Sequence, residues 1–377
     1  MMVTDPNPLG LGSFVPVAKG ALGIEGEFKG AFNYGVAGQA TYNSNFFETE
    51  NNEESEISGA LTPWIHYTSD PEGGAEFSLT ANYMPSFRIY MENSDLNGTD
   101  QSMDLNLSFR KARTQFDVFG RYTQVSGTDR LTGEFVQGSV MTTGFRANRQ
   151  VGARTSMHAS WSYGKSEFDS SDSVGAEVYT TDIGAYWEAT ERLSFGPTLR
   201  YTVSKSDNIG TREAWALMMS VRYRVGERIL LSAGLGPEYS TSSESNESSL
   251  GVAGNLSASY IINERWSWKS TIDTAAVPSP NQKNFVINNV AISTGLQRQL
   301  LRGSISGGIE ANLSQYEDLG TGNTSGSDEV NISAFVRYGR PLFSDRVGFN
   351  TELRYSQNDG DTDWSQVQVT AGLSVAF

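Results

Sequence analysis

Two residues of this chain have the types and the spacing of an acyl-transfer site. His158 and Ser160 are separated by one residue, so in an extended strand their side chains lie on the same face. A histidine beside a serine can activate the hydroxyl as a nucleophile when a third polar group orients the imidazole. The same alternation places Met157 and Trp161 on the opposite, apolar face. We therefore expect the pair to face away from lipid, the wrong side for a lipid substrate, and we predict no catalytic residue.

The composition gives little support to metal or cofactor chemistry. The chain has no cysteine and two histidines, which excludes disulfides, cysteine-based zinc sites and a catalytic thiol. His66 is interpreted as a structural hydrogen-bonding residue. The acidic run at Asp359, Asp361 and Asp363 offers oxygen ligands for calcium, although a solvated acidic loop is the simpler interpretation. We predict no metal site and no cofactor.

The charge and the hydropathy of the whole chain narrow the class of protein. Its 377 residues carry a formal net charge of −15, and aromatic residues make up 11% of the sequence. The acidic balance argues against a nucleic-acid partner, and the aromatic content argues against disorder. The mean hydropathy is −0.38, and the sequence has no apolar run of the length that a membrane-spanning helix needs.

The elements that must position these residues are β-strands, because apolar and polar residues alternate with period two along most of the chain. In residues 103–109 the apolar side chains of Met103, Leu105, Leu107 and Phe109 share one face. The same pattern predicts about eighteen strands, with sixteen as the alternative. They are expected near 34–48, 55–68, 75–91, 101–111, 114–127, 135–148, 154–168, 176–189, 192–206, 211–225, 228–242, 249–262, 265–277, 284–298, 303–317, 328–339, 346–357 and 363–377.

The connections between these strands alternate in kind. One set is short and often basic, as at 110–113 and 225–228, and the other is polar and mostly acidic, as at 50–54 and 243–247. An up-and-down meander places alternate connections at opposite ends, and transmembrane β-barrels show this asymmetry. We predict an all-β fold: a transmembrane up-and-down antiparallel β-barrel over 34–377, after an irregular lead-in or candidate plug at 1–33. A soluble β-sandwich or β-solenoid is the alternative.

In such a barrel the polar face of each strand lines the lumen. A barrel of this size encloses an aqueous channel unless it is plugged, and its lining charges form either cross-strand pairs or a selectivity lining. If the cargo is a polysaccharide, Tyr90, Phe119 and Tyr186 are expected to offer stacking surfaces there, whereas a general porin would have an unobstructed charged lumen. Among the connections, 317–328 is the best candidate for an inward-folded loop, since the others look too short. The predicted lumen-lining residues are Arg88, Asp104, Arg110, Arg121, Asp182, Arg200, Arg222, Arg224, Lys269, Glu310, Arg337, Glu352 and Arg354.

Several segments resemble the β-barrel porin 2 family. Residues 42–47 read YNSNFF, 53–56 read EESE and 61–63 read LTP, similar to the aromatic stretch, acidic loop and Thr-Pro strand that open that family. Residues 90–97 and 126–130 fit its later parts, and the turns at 190–192 and 263–265 match its tight turns. Asn43 stands where the family often has Asp. The resemblance implies an outer-membrane barrel linked to exopolysaccharide export, with polysaccharide-export proteins as partners.

The expected function is a porin-like pore in a bacterial outer membrane, for passive diffusion or for export of polysaccharide. The alternatives are a scaffold barrel with surface-binding loops and a lumen blocked by residues 1–33, or a lipid hydrolase that uses His158 and Ser160. The first residues lack the basic and apolar regions of a signal peptide, so we expect a form whose signal peptide is absent. The expected partners are outer-membrane lipid, lipopolysaccharide and the barrel assembly machinery, which would read the terminal Phe377.

Overall fold

The computed structural model describes residues 31–70, 73–128, 135–169, 175–206, 210–243, 248–278, 285–318, 329–343, 346–360 and 362–377. The strands within these ranges are β1 Phe32–Asn43, β2 Glu56–Thr68, β3 Phe77–Tyr90, β4 Gly98–Lys111, β5 Thr114–Thr128, β6 Phe135–Gln150, β7 Thr155–Phe168, β8 Ala176–Glu188, β9 Leu193–Ser206, β10 Gly210–Val225, β11 Ile229–Ser242, β12 Ser248–Ile261, β13 Trp266–Pro278, β14 Phe285–Gln299, β15 Ser304–Asp318, β16 Glu329–Pro341, β17 Val347–Asp359 and β18 Trp364–Ala376. The predicted lead-in at 1–33 lies almost wholly outside the described residues.

The strands form one closed, antiparallel, up-and-down barrel. Each strand pairs with its neighbours in sequence, and β1 pairs with β18 to close an 18-stranded sheet. The closing register runs from Gly35 opposite Ala376 to Asn43 opposite Gln368. Closure leaves no sheet edge with unpaired backbone groups, which is the condition for a sheet that lies in lipid. The predicted fold class and the count of eighteen strands are confirmed.

The two rims of the barrel differ as the connections predicted. The start of β1 and the end of β18 lie at the same rim, which we call the termini rim, together with turns such as 112–113 and 226–228. The opposite rim, which we call the loop rim, carries the acidic connections, including 44–55 and 91–97. Within the described residues, no helix is long and apolar enough to cross a membrane.

The alternation of side chains explains why this sequence closes into a barrel with an apolar exterior. On β10 the outward residues Trp215, Leu217 and Met219 are 46–57% exposed, whereas Ala216 and Met218 between them are buried on the inner side. The same phase holds on β3, where Phe77, Phe87 and Ile89 point outward. Large exposed apolar side chains over the whole outer surface would aggregate in water, so this surface fits the hydrocarbon core of a membrane.

The largest departure from the predicted strand bounds is at the end of β1. The alternation predicts a strand that continues to residue 48, but β1 ends at Asn43. The Asn43 side-chain oxygen accepts a hydrogen bond from the backbone N–H of Asn45 at 3.1 Å, a local turn that competes with the strand ladder. Glu48 and Asn52 adopt positive φ angles of 53° and 62°. The chain therefore leaves the sheet and forms a folded loop at 44–55.

Candidate functional site: the lumen wall

Most charges on the inner wall of the barrel are paired across neighbouring strands. Arg121 on β5 stands opposite Asp104 on β4 in the strand register, and their side chains approach to 2.6 Å. Arg200 on β9 likewise stands opposite Asp182 on β8 at 2.7 Å. Direct cross-strand pairs of opposite sign stabilise a sheet modestly. All four of these predicted lumen residues lie on the inner face.

The predicted lumen residues Arg88 and Asp104 have a neighbour that the sequence analysis missed. The Arg88 guanidinium lies 2.7 Å from the carboxylate of Asp100, which also accepts a hydrogen bond from the Ser126 hydroxyl at 2.8 Å. Asp100 shares the inner face of β4 with Asp104, four residues further on, and is 8% exposed. The alternation of side chains could have identified Asp100 as an inner residue, because it lies two positions before Ser102 and four before Asp104.

The densest cluster of charge lies on β15, β16 and β17. Arg354 contacts Glu310 at 2.7 Å and Glu352 at 3.0 Å, and Glu352 also accepts a hydrogen bond from Arg337. Both guanidinium groups lie over the ring of Phe335, at 4.5 Å for Arg337 and 5.2 Å for Arg354. The structure thus brings together four of the residues predicted to line the lumen, in a network whose formal charges cancel.

Three predicted lumen arginines differ from the rest. In the described part of the chain, no carboxylate lies within ion-pair distance of Arg110, Arg222 or Arg224. All three are exposed, and each lies near the end of its strand at the termini rim. Lys269 lies on the inner face of β13, towards the same rim. These four cations lie together at the end of the lumen nearest the termini.

Aromatic side chains on the inner wall are mostly covered by cations or packed against other rings. The Arg146 guanidinium lies 4.5 Å from the ring centre of Phe119, and that of Arg222 lies 5.9 Å from the ring centre of Tyr186. Tyr90 is 5% exposed. The expectation that Tyr90 offers a stacking surface to a solute is therefore wrong, because its ring is packed beneath the loop rim.

The His158–Ser160 pair faces the lumen as predicted but is not arranged as a nucleophile and base. The Ser160 hydroxyl donates to Asp182 at 3.3 Å, while the His158 Nε2 atom lies 3.5 Å from the Thr198 hydroxyl. The imidazole stacks on Tyr186 with ring centres 5.0 Å apart. Each side chain is thus engaged with a different neighbour, and the structure shows no hydrogen bond between the two.

The structure also places His66 and several of the acidic residues considered as candidate metal ligands. The Nδ1 atom of His66 lies 2.5 Å from the side-chain oxygen of Asn82, which agrees with a structural role. Among the described residues, no group of three or more His, Asp or Glu side chains is placed to hold a metal ion. Asp361, in the acidic run at 359–363, lies outside the described residues.

One carboxylate at the termini rim has a perturbed pKa. Asp70 follows β2 and accepts hydrogen bonds from the backbone N–H groups of Gly74 at 2.7 Å and Ala75 at 2.9 Å. These bonds to the charged form hold the pKa of Asp70 below 3.8, its ordinary value. Asp70 therefore closes the β2–β3 turn in its ionised form.

Comparison with known proteins gives a likeness to solved structures alone. No family model and no curated protein matches this chain. The outer membrane protein opdK from Pseudomonas aeruginosa is 11% identical, covers 92% of this chain and 99% of its own, and gives a TM-score of 0.47. OccK2 (OpdF) from the same organism is 9% identical, covers 92% of this chain and 98% of its own, and gives 0.49. The barrel rests on the strand pairing above, and these likenesses add nothing about a solute. The resemblance to the β-barrel porin 2 family stays a prediction.

Proposed function

We propose that this protein is a pore of a bacterial outer membrane, through which small polar solutes diffuse passively. The observation that carries the proposal is the contrast between the two faces of one closed sheet: apolar side chains cover the outside, and paired charges line the inside. A solute that enters the lumen exchanges its hydration for contacts with a polar wall and with water, so it avoids the cost of entering lipid.

The unpaired cations of the lumen favour anions. Paired charges contribute little net potential at the pore axis, because each cation is cancelled by a carboxylate within about 4 Å. Arg222 and Arg224 have no such partner in the described part of the chain, whereas Arg110 lies near enough to Asp70 to help lower the pKa of that carboxyl. The field of Arg222 and Arg224 attracts anions and repels cations at the termini end of the pore.

Export of polysaccharide, the finer prediction from the resemblance, has less support from the lumen wall. Passage of a sugar chain would be favoured by exposed aromatic faces on which its rings can stack. Tyr90 is buried, and arginines lie over Phe119 and Tyr186. We therefore favour small solutes over polysaccharide as the cargo. Partners among the polysaccharide-export proteins, lipopolysaccharide and the barrel assembly machinery stay predictions.

The test is the ion selectivity of the purified protein in a planar lipid bilayer under a salt gradient. The wild type should conduct steadily, with a reversal potential that shows a preference for anions. Arg222→Gln with Arg224→Gln should move that potential towards the cation side. Arg298→Gln, which removes a cation that lies over Trp266 on the outer face, is the control and should leave it unchanged.

Two results would contradict the proposal. A correctly folded barrel that carries no current would favour the alternative, a scaffold whose lumen is blocked. If the barrel conducts and its reversal potential is unchanged by the double substitution, the unpaired arginines do not set the selectivity. Folding of each variant is checked by heat-modifiable gel mobility, since an unfolded chain would be silent for a trivial reason.

A further inference from the structure

The loop after β1 is folded into the mouth of the barrel at the loop rim. In the loop at 44–55, Asn45 is fully buried, and Phe46 and Glu48 are 7% and 6% exposed, although connections normally lie on the surface. The inward-facing Gln366 of β18 donates its side-chain amide to the Asn45 carbonyl at 2.8 Å and to a Glu48 carboxylate oxygen at 3.5 Å. The loop is therefore held against the inner wall of the barrel.

The same loop contacts the two strands at opposite ends of a wide sector of the wall, β18 and β5. The Asn45 side chain donates to the carbonyl of Ser365 on β18 at 3.2 Å, and the next residue, Phe46, accepts a hydrogen bond from the Thr128 hydroxyl on β5 at 2.7 Å. Five strand steps separate β18 from β5, roughly 24 Å of wall at about 4.8 Å per step. Consecutive Cα atoms lie only about 3.8 Å apart.

Since two adjacent residues contact both strands, the end of β5 at Thr128 lies inward over the mouth and close to the loop. Arg88 on β3 also donates to the carbonyl of Ser126 on β5 at 3.3 Å and so spans β4, as Arg354 spans β16 to reach Glu310. The rings of Phe46, Tyr90 and Phe135 fill the space beneath, with centres 5.3–6.0 Å apart.

A carboxylate clamp fixes the neighbouring turn to the same structure. The inward-facing Glu56 at the start of β2 is 2% exposed. Its two oxygens accept hydrogen bonds from the backbone N–H groups of Met91, Glu92 and Asn93 at 2.8–3.1 Å and from the Asn93 side chain at 2.7 Å. Successive N–H groups that converge on an anion form a nest. The turn at 91–97 is thereby held in one conformation.

We infer that these segments form the constriction that sets the size limit of the pore. We call them the mouth arch: residues 44–55, the turn at 91–97, and the hairpin end at 126–128 and 135–137. The inference rests on the proposed pore function. The arch covers the sector from β18 through β6, which is seven of the eighteen strands.

The expectation that 317–328 supplies the inward loop differs from this assignment. Most of that connection lies outside the described residues, so the expectation stays a prediction there. The expectation that the other connections are too short to fold inward is wrong for the one after β1: because β1 ends at Asn43 and not at residue 48, this connection has the twelve residues 44–55, as many as 317–328. Its contact with β5 is made at Thr128, the last residue of that strand.

The experiment compares the wild type with two variants in planar bilayers and in liposome swelling with sugars of graded size. One variant replaces residues 46–53 by two glycines, and the other is Phe46→Ala, which removes the ring that packs on Tyr90 and Phe135. If conductance follows the open cross-section, the deletion should raise it, by less than the roughly 1.6-fold that loss of the whole arch would give, and admit larger sugars. The Phe46→Ala variant should shift both in the same direction by less.

Thr190→Ala is the matched control. The Thr190 hydroxyl also accepts hydrogen bonds from loop amides, those of Arg192 and Leu193, but at the termini rim, so conductance and size limit should not change. A folded deletion variant with the conductance and size limit of the wild type would overturn the arch as the constriction. A wild type that does not conduct at all would refute the proposed pore instead, so the two failures are distinguishable.

Discussion

Replacing Arg354 should destabilise the barrel because it leaves a carboxylate in the lumen wall without its cation. The Arg354 side chain is 4% exposed and contacts Glu310 at 2.7 Å and Glu352 at 3.0 Å. In Arg354→Gln both carboxylates lose a cation, but Glu352 keeps Arg337. The network then carries one excess negative charge, and that charge falls on Glu310.

The magnitude follows from the exposure of the two carboxylates. A unit pair near a protein surface is worth about 4 kcal/mol at 4 Å, and removal of one partner from a buried pair costs roughly 3–5 kcal/mol. The Glu310 side chain is 40% exposed, so it can turn towards lumen water and recover part of that loss. We expect the free energy of unfolding to fall by about 2 kcal/mol.

The assay is urea unfolding of the barrel in lipid vesicles, followed by tryptophan fluorescence. The variant Arg354→Gln with Glu310→Gln should recover most of the lost stability, because the stranded charge is gone while the side-chain volumes are kept. If Arg354→Gln unfolds at the same urea concentration as the wild type, the network contributes nothing and the reasoning is refuted. The reasoning is also refuted if adding Glu310→Gln to Arg354→Gln does not restore the lost stability.

Three further predictions concern the outer face, the His158–Ser160 pair and the termini rim. Leu235→Arg, at an outward position that is 64% exposed, should cost about 2–4 kcal/mol of folding in lipid, whereas the inward Ser232→Arg on the same strand should cost much less; urea unfolding compares them. Detergent-dispersed phospholipid should not be hydrolysed, and turnover that disappears in Ser160→Ala would contradict the geometry. The pKa of Asp70 in the folded protein lies below its ordinary value of 3.8. The ionised carboxylate therefore stabilises the β2–β3 turn at pH values above the unfolded-state pKa, and this stabilisation is lost as the pH falls through the folded-state pKa. The NMR chemical shifts of the Gly74 and Ala75 amides, which donate to Asp70, should titrate with a midpoint below 3.8.

The period-two alternation was sufficient to predict the barrel, because each strand reports its own inner and outer face. On β7, the sequence places His158 inside and Met157 outside, and the structure agrees, with Met157 49% exposed. The count of strands and the two rims follow from the same local pattern and from the alternating connections. None of these features requires knowledge of residues that are distant in the sequence.

The mouth arch could not be predicted in the same way, because it depends on contacts between distant residues. Gln366 and Asn45 are 321 positions apart, and the alternation of either strand says nothing about which loop its end will meet. The inward position of the end of β5 is likewise a tertiary feature. Pairing in the lumen was predictable in kind but not in detail: Asp104 and Arg121 carry opposite charges, yet only the register shows that they stand opposite each other.

The most direct test of the central claim is the single-channel conductance of the purified full-length protein in a planar lipid bilayer. We expect steady current with a preference for anions, from a barrel whose correct folding is shown by heat-modifiable gel mobility. A correctly folded barrel that carries no current would contradict it.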